Sequence, residues 1–415
     1  MNRPRAKRWV MAAMLLAYAT VPAKAQLGGV LTASPLDTIG QVGETIGDVT
    51  DTPLQPLAAA RRDVRKLARD RLRRLALHVS ENREAVEWDD HRQPAVRGEV
   101  LLLDPDPEAL QIAGKAGYPV LERNSIAGLG VPFVRLGVPA GRSLAHAIRE
   151  LRKALPGRTI SADNLHFPAG RVGASVTRKR SPGALPRGGT VGVIDGGIAG
   201  SDRLAAQHGF ARGAPKSSEH ASAIASLLAG AGTAHIYGAD VYGSDPAGGS
   251  ALAIAKALGW MAQQAVPVVS ISLVGPDNPL LARTIAAARK KGIVVVAAVG
   301  NDGAAAPPAY PASYPGVIAV TGVDGANRVL IEAGRAKHLD YAAPGADMSA
   351  LVPGKGRIEL RGTSFAAPLA ASRIAARRAS LPNAAKALEA VDTEAVYPSR
   401  RTGRGVVCNI CRSGL

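Results

Sequence analysis

Five stretches in the second half of the chain, TVGVID, AHIYGADVY, VPVVSISL, GIVVVAAVG and GVIAVTGV, are almost continuously apolar and rich in β-branched residues. A strand with one solvated face alternates apolar and polar positions, whereas an unbroken apolar strand must be covered on both faces. The segments between them, HASAIASLLAG, SALAIAKALGWMAQQ and NPLLARTIAAARKKG, are long enough for helices and supply that cover. From residue 188 to about 400 the chain is therefore constrained to an α/β fold, a doubly wound parallel sheet between helices. In such sheets chemistry gathers at the carboxyl ends of the strands.

The preceding region follows another pattern. GEVLLLDPD (98–106) reads as a strand, PEALQIAGKAG as a helix, YPVLERN and VPFVRLGVP as strands, SLAHAIRELRKALPG as a helix capped by Ser143 and ended by Gly157, and TISADNLHF as a last strand. The order β-α-β-β-α-β predicts a small α+β ferredoxin-like unit over 96–168. A Gly-, Pro- and Arg-rich stretch from 168 to 189, with RKR at 178–180, separates the two, so residues 169–187 read as a linker.

Nearer the N-terminus, Arg3, Arg5, Lys7 and Arg8 precede an apolar run from Trp9 to Val21, and Ala23-Lys24-Ala25 has the small-x-small pattern of a signal-peptidase site. Residues 1–25 are expected to be a cleaved export signal and the product to be secreted or periplasmic. The run is too short to span a bilayer, so no integral membrane segment is expected after signal removal. Residues 26–56 read as a weakly ordered linker. Residues 61–78 carry eight basic and two acidic side chains, +6 of the formal charge of +18. They belong to a basic helical segment over 57–95, with an apolar stripe at Val64, Leu67, Ala68, Leu72, Leu75 and Val79. A docked, solvated helix is the expected form; nothing else in the chain supports nucleic-acid binding.

Three polar residues interrupt the apolar framework. Asp195 ends TVGVID, His220 opens HASAIASLLAG, and Ser364 lies in GTSFAAP ahead of an Ala-rich helix. Brought together at the strand ends, they would form a nucleophilic relay in which His220 takes the hydroxyl proton of Ser364 and Asp195 fixes the imidazole tautomer. Singly, each has a plain structural reading, as a turn aspartate, a structural histidine and a loop serine. His208 reads as part of a polar loop, His235 as leading a strand, and Asp202 and Asp240 as surface or turn groups.

At these residues the chain resembles the subtilisin-like serine peptidases, or subtilases, whose triad runs in the order Asp, His, Ser. RGTSFAAP (361–368) matches the family's nucleophile motif, VVVAAVGNDG matches the strand that ends in its oxyanion-hole Asn, and YPASYPGVIAVTGVD and YAAPG are similar to family stretches downstream. The resemblance covers about 188–395. It implies a serine endopeptidase with Asp195, His220 and Ser364 catalytic, Asn301 in the oxyanion hole, and Ser272, Leu273, Val274 and Gly275 binding an extended protein or peptide substrate. It also implies that 96–168 is a propeptide, an intramolecular chaperone and inhibitor. Two departures stand out: Gly196 follows the aspartate where Ser or Thr is usual, and the usual His-Gly-Thr reads His220-Ala221-Ser222. Val274 stands where Gly is common, which predicts a shallow pocket for small or medium apolar side chains. Self-cleavage is expected between about 167 and 190; the alternative is an external protease cutting at RKR.

No cofactor is implied, and structural calcium, though common in the family, has no recognisable loop here. Two other readings are weaker. DGGIAG after a strand, with Glu219 further on, nearly fits a dinucleotide fingerprint, but Asp195 replaces its first Gly and would repel pyrophosphate. A catalytically inactive, peptide-binding protein of the same fold is the alternative to an enzyme. In the tail, 401–415, Cys408 and Cys411 form CNIC, read as a small-ring disulfide ahead of free thiols, since half a zinc site lacks two further ligands.

Overall fold

In the computed structural model of the chain, residues 54–175 and 188–412 are described. The expected leader, the linker up to residue 53 and the RKR stretch lie outside them. The described part opens with helix α1 (Leu54–Glu81), three residues earlier than the sequence reading. Its stripe is only partly realised: Val79 is buried, but Leu72 is 40% exposed.

The segment after α1 is not helical. β1 (Val86–Trp88) pairs antiparallel with the start of β2 (Pro94–Leu103), so residues to 95 belong to the sheet that follows and not to a helical segment. The order continues α2 (Pro107–Lys115), β3 (Val120–Ile126), β4 (Val131–Gly137), α3 (Leu144–Ala154), β5 (Thr159–Asn164). Asp106 caps α2 and Ser143 caps α3. β5 and β4 flank β2, and β3 lies outside β4, which is the antiparallel ferredoxin-like order. Alternation along these strands divides their faces. Val100, Leu102, Val134 and Leu136 pack with α2 and α3, while Leu101, Leu103 and Phe133 join the core of the larger domain. A sheet with two apolar faces needs a cover on each, and the second cover is the C-terminal domain.

The stretch from 168 to 189 does not begin as a separator. β6 (Phe167–Pro168) and β7 (Arg171–Ser175) each pair with strands of the C-terminal domain. Their pairing is made by main chain, which Gly-, Pro- and Arg-rich composition does not reveal.

That domain contains β8 (Thr190–Asp195), β9 (Leu204–Gly209), α4 (Glu219–Gly230), β10 (His235–Asp240), α5 (Ala251–Gln263), β11 (Val268–Ile271), β12 (Leu273–Val274), α6 (Pro279–Lys290), β13 (Val294–Ala298), β14 (Ile318–Val323), β15 (Tyr341–Pro344), β16 (Met348–Val352), β17 (Gly356–Arg361), α7 (Thr363–Ser380) and α8 (Ala384–Asp392). Seven strands form one parallel sheet in the order β15-β14-β13-β11-β8-β10-β9. Val191, Val193, Val268 and Val296 face the layer of α4 and α7, while Ile194, Val269, Ile271 and Val295 face α5 and α6, as unbroken apolar strands require. The chain moves outward from β8 in opposite directions, through β10 and through β11, and the carboxyl ends of β8 and β11 open onto the resulting crevice.

His208 lies on the edge strand β9 and not in a loop, its ring beside those of Phe210 and Trp260. The edge strand LAAQHG has few β-branched residues, which concealed it. Asp240 is not a surface group: it is fully buried and accepts the backbone N–H groups of Lys216, Tyr242 and Gly243. Glu219 pairs on the surface with Lys355. Cys408 and Cys411 are joined in a disulfide. Among the described residues, no helix is long and apolar enough to cross a membrane.

Candidate active site

Asp195 is the last residue of β8, His220 sits in the first turn of α4, and Ser364 in the first turn of α7. Three separate elements thus end in one place, beside the crevice. Nδ1 of His220 lies 3.0 Å from each carboxylate oxygen of Asp195, and Nε2 lies 2.9 Å from Oγ of Ser364. The carboxylate can only accept, so Nδ1 carries the proton and Nε2 is left with a lone pair facing the hydroxyl. Asp195 and Ser364 are almost wholly shielded from solvent.

The two departures from the family pattern are accommodated. A Cβ on Gly196 would come 2.6 Å from Cβ of Ser218, so the N-cap serine of α4 fills the space that a larger residue would need. The Gly196 N–H donates to Oδ1 of Asp195. Ala221 is buried, and the His220 contacts on both sides are kept.

Asn301 follows β13 across the crevice. Its Oδ1 accepts the backbone N–H of Thr363 at 3.0 Å, which turns Nδ2 toward the cleft. There Nδ2 donates to the carbonyl oxygen of Ala169, and the backbone N–H of Ser364 donates to the same oxygen at 2.9 Å. The peptide between Ala169 and Gly170 therefore lies against the serine. Gly170 is required at this point, because a Cβ on it would fall 2.0 Å from Oγ of Ser364.

The chain runs through the cleft on either side of that peptide. The Ala169 N–H donates to the Ser272 carbonyl at 3.0 Å, and β6 pairs antiparallel with β12, Phe167 opposite Val274 and Pro168 opposite Leu273. Oγ of Ser272 donates to the Ser364 carbonyl, tying the end of β11 to the first turn of α7. Gly275 packs under the ring of His166. Beyond Gly170, β7 pairs with β17. The resemblance implies that Ser272, Leu273, Val274 and Gly275 bind substrate; in the structure Leu273 and Val274 pair with the chain's own Pro168 and Phe167, which the sequence did not reveal.

Two helix N-termini of the C-terminal domain hold β5 just upstream. Oδ1 of Asp163 accepts the Leu252 N–H of α5 at 2.9 Å, and burial pushes this carboxyl up to about 6. Asn278, the N-cap of α6, donates to the Ala162 carbonyl at 2.9 Å. His166 is also buried, which holds its imidazole down to about 4. Among the described residues, no three His, Cys, Asp or Glu side chains gather where they would hold a metal ion.

A doubly wound sheet with a hydroxyl, an imidazole and a carboxylate joined at its strand ends defines a class, the α/β proteins built like serine hydrolases. Comparison with known proteins narrows it. The subtilase family model matches residues 187–397. Subtilisin BL of Lederbergia lenta is 31% identical over 214 residues, covering 46% of this chain and 79% of that protein. Subtilisin E of Bacillus subtilis is 28% identical over 249 residues, covering 54% and 65%. Fervidolysin from Fervidobacterium pennivorans, a keratinolytic enzyme related to subtilisin, superposes with a TM-score of 0.63 at 17% identity, over 77% of this chain and 61% of that one. The chain belongs to the subtilase family and is a serine endopeptidase.

Proposed function

We propose that this chain is an exported endopeptidase made as a self-inhibited precursor, with Asp195, His220 and Ser364 as its triad and its own Ala169–Gly170 bond as its first substrate. One observation carries the reading: two donors, Nδ2 of Asn301 and the N–H of Ser364, converge on the Ala169 carbonyl while Oγ of Ser364 is hydrogen-bonded to an imidazole lone pair. Peptide-bond hydrolysis needs this arrangement of nucleophile, base and oxyanion donors around one carbonyl.

Oγ attacks the Ala169 carbonyl carbon as its proton passes to Nε2 of His220, and Asp195 stabilises the imidazolium. The oxyanion forms where both donors already point. Collapse breaks the C–N bond, and the imidazolium gives its proton to the departing amine of Gly170. Water, deprotonated by the same imidazole, then releases the Ala169 carboxylate. The 96–168 unit remains bound through Leu101, Leu103 and Phe133, each apolar side chain of this size contributing about 1.5–3 kcal/mol.

Substrates are extended peptides that add a strand to β12. The residue before the cut is small. Cγ1 of Val274 lies 3.3 Å from where a Cβ on Gly300 would be, so these two residues narrow the pocket between them, and Ala169, the residue before the cut, is small. A fluorophosphonate probe should label the mature enzyme and fail to label Ser364→Ala, and N-terminal sequencing should return Gly170. An unlabelled, uncut wild-type chain would support the inactive peptide-binding alternative instead.

A further inference from the structure

The basic helix α1 has no part in the scheme above, yet one face of it is turned toward the cleft. Leu67, Arg71, Arg74, Leu75 and His78 recur at helical spacing and line a cavity of about 1090 Å³ that also touches Ala169 and Asn301. Nε of Arg71 lies 3.3 Å from Asp302, and Arg74 pairs with the same carboxylate. Asp302 directly follows Asn301 and keeps only 22% of its side-chain surface exposed. Beside it, Cδ1 of Leu67 lies 3.0 Å from where a Cβ on Gly303 would stand, at a φ of +81°. Farther along α1, the ring of His78 meets that of Phe167 edge-on at 5.1 Å. The loop it covers is braced: the Gly303 N–H donates to the Glu332 carbonyl, and Glu332 pairs with Arg361 at 2.8 Å.

We propose that α1 is a second inhibitory element, which closes the wall beside Asn301 through Arg71 and Arg74 on Asp302, a contact separate from the main-chain pairing of the strand in the cleft. The proposal rests on the peptidase reading above and adds to it. Cutting Ala169–Gly170 frees one tether but leaves α1 seated. Both attachments belong to one polypeptide, so each raises the effective concentration of the other, and the cut enzyme stays latent until α1 is displaced or degraded. Two guanidinium groups on one partly shielded carboxylate make this contact sensitive to charge reversal.

The test uses the full chain carrying Arg71→Glu and Arg74→Glu. After self-cleavage, hydrolysis of a short Ala-containing peptide should begin at least tenfold faster than in wild type, and adding Asp302→Arg should restore latency. In the uncut Ser364→Ala background, amides from Leu67 to Val79 should exchange with solvent at least tenfold faster in the reversed variant, with those of α3 unchanged. Unchanged exchange, or faster exchange without loss of latency, would overturn the proposal. Failure of the peptidase reading would look different: no chain would acquire a Gly170 N-terminus or any activity, whatever α1 did.

Discussion

At the scale of single residues, the site depends on groups whose partners are fixed before any substrate arrives. Asn301 is oriented by the Thr363 N–H, so Asn301→Ala removes a donor already in place. Turnover of the mature enzyme should fall by about 10²–10³, the range known for losing one such donor from subtilisin, with a thermal midpoint close to wild type; an unchanged kcat would remove Asn301 from the mechanism. Asp163 and His166 set a pH dependence for the uncut Ser364→Ala chain. A carboxyl raised on folding contributes fully below about pH 3.8 and loses that contribution as pH rises through about 6. An imidazole lowered on folding contributes fully above pH 6.5 and loses as pH falls toward about 4. Between about 4 and 6 the slopes oppose. Asp163→Asn should therefore expose a loss of about 1.4 kcal/mol per pH unit on acidification across that window, read as a falling midpoint in calorimetry. A variant profile parallel to its parent would assign the pH dependence elsewhere.

At the scale of elements, cleft and occupant are matched strands. The pairing of β6 with β12 sets Val274 opposite Phe167, where it narrows the proposed pocket beside Gly300. Val274→Gly should open that pocket, raising kcat/KM for Phe over Ala before the cut by about tenfold in a peptide library; equal ratios in both enzymes would show that Val274 does not set the size limit. Gly170→Ala puts a methyl onto Oγ of Ser364. The peptide must then back away from the donors, and self-cleavage should slow by at least tenfold in a timed gel assay, whereas Gly173→Ala, clear of the serine, should cut at a near-normal rate. The elements themselves were unevenly legible. β8, β10, β11, β13 and β14 announce themselves because burial on both faces leaves few polar positions, and α3 because Ser143 caps it. β9 is a half-exposed edge and looks like a loop, while β1 is three residues long and follows a helix without a composition change.

At the scale of the whole molecule, two domains share a core. Phe133 lies in the apolar cluster of the C-terminal domain, with Nζ of Lys256 5.6 Å from its ring centre, and Lys256 also pairs with Glu122 at 2.9 Å. Phe133→Ala leaves a cavity there, at a cost of about 3–5 kcal/mol. The cut N-terminal unit should then dissociate faster, shortening the lag before peptide hydrolysis; an unaltered lag would mean that the strand and α1 alone control release.

That Asp195, His220 and Ser364 meet was legible because the proposed chemistry demands particular side chains, a carboxylate, an imidazole and a hydroxyl, and they interrupt an apolar pattern in a recognisable order. Parallel sheet and ferredoxin-like unit were legible because burial imposes a period on the sequence. The path of residues 165–175 through the cleft, the grip of Asp163 and Asn278 on two helix ends, and the seating of Arg71 and Arg74 on Asp302 were decided by tertiary structure alone. Those contacts are made by main-chain groups, by buried polar side chains or by surface charges whose partners lie far apart along the chain, and none of these leaves a periodic trace for burial to write into the sequence.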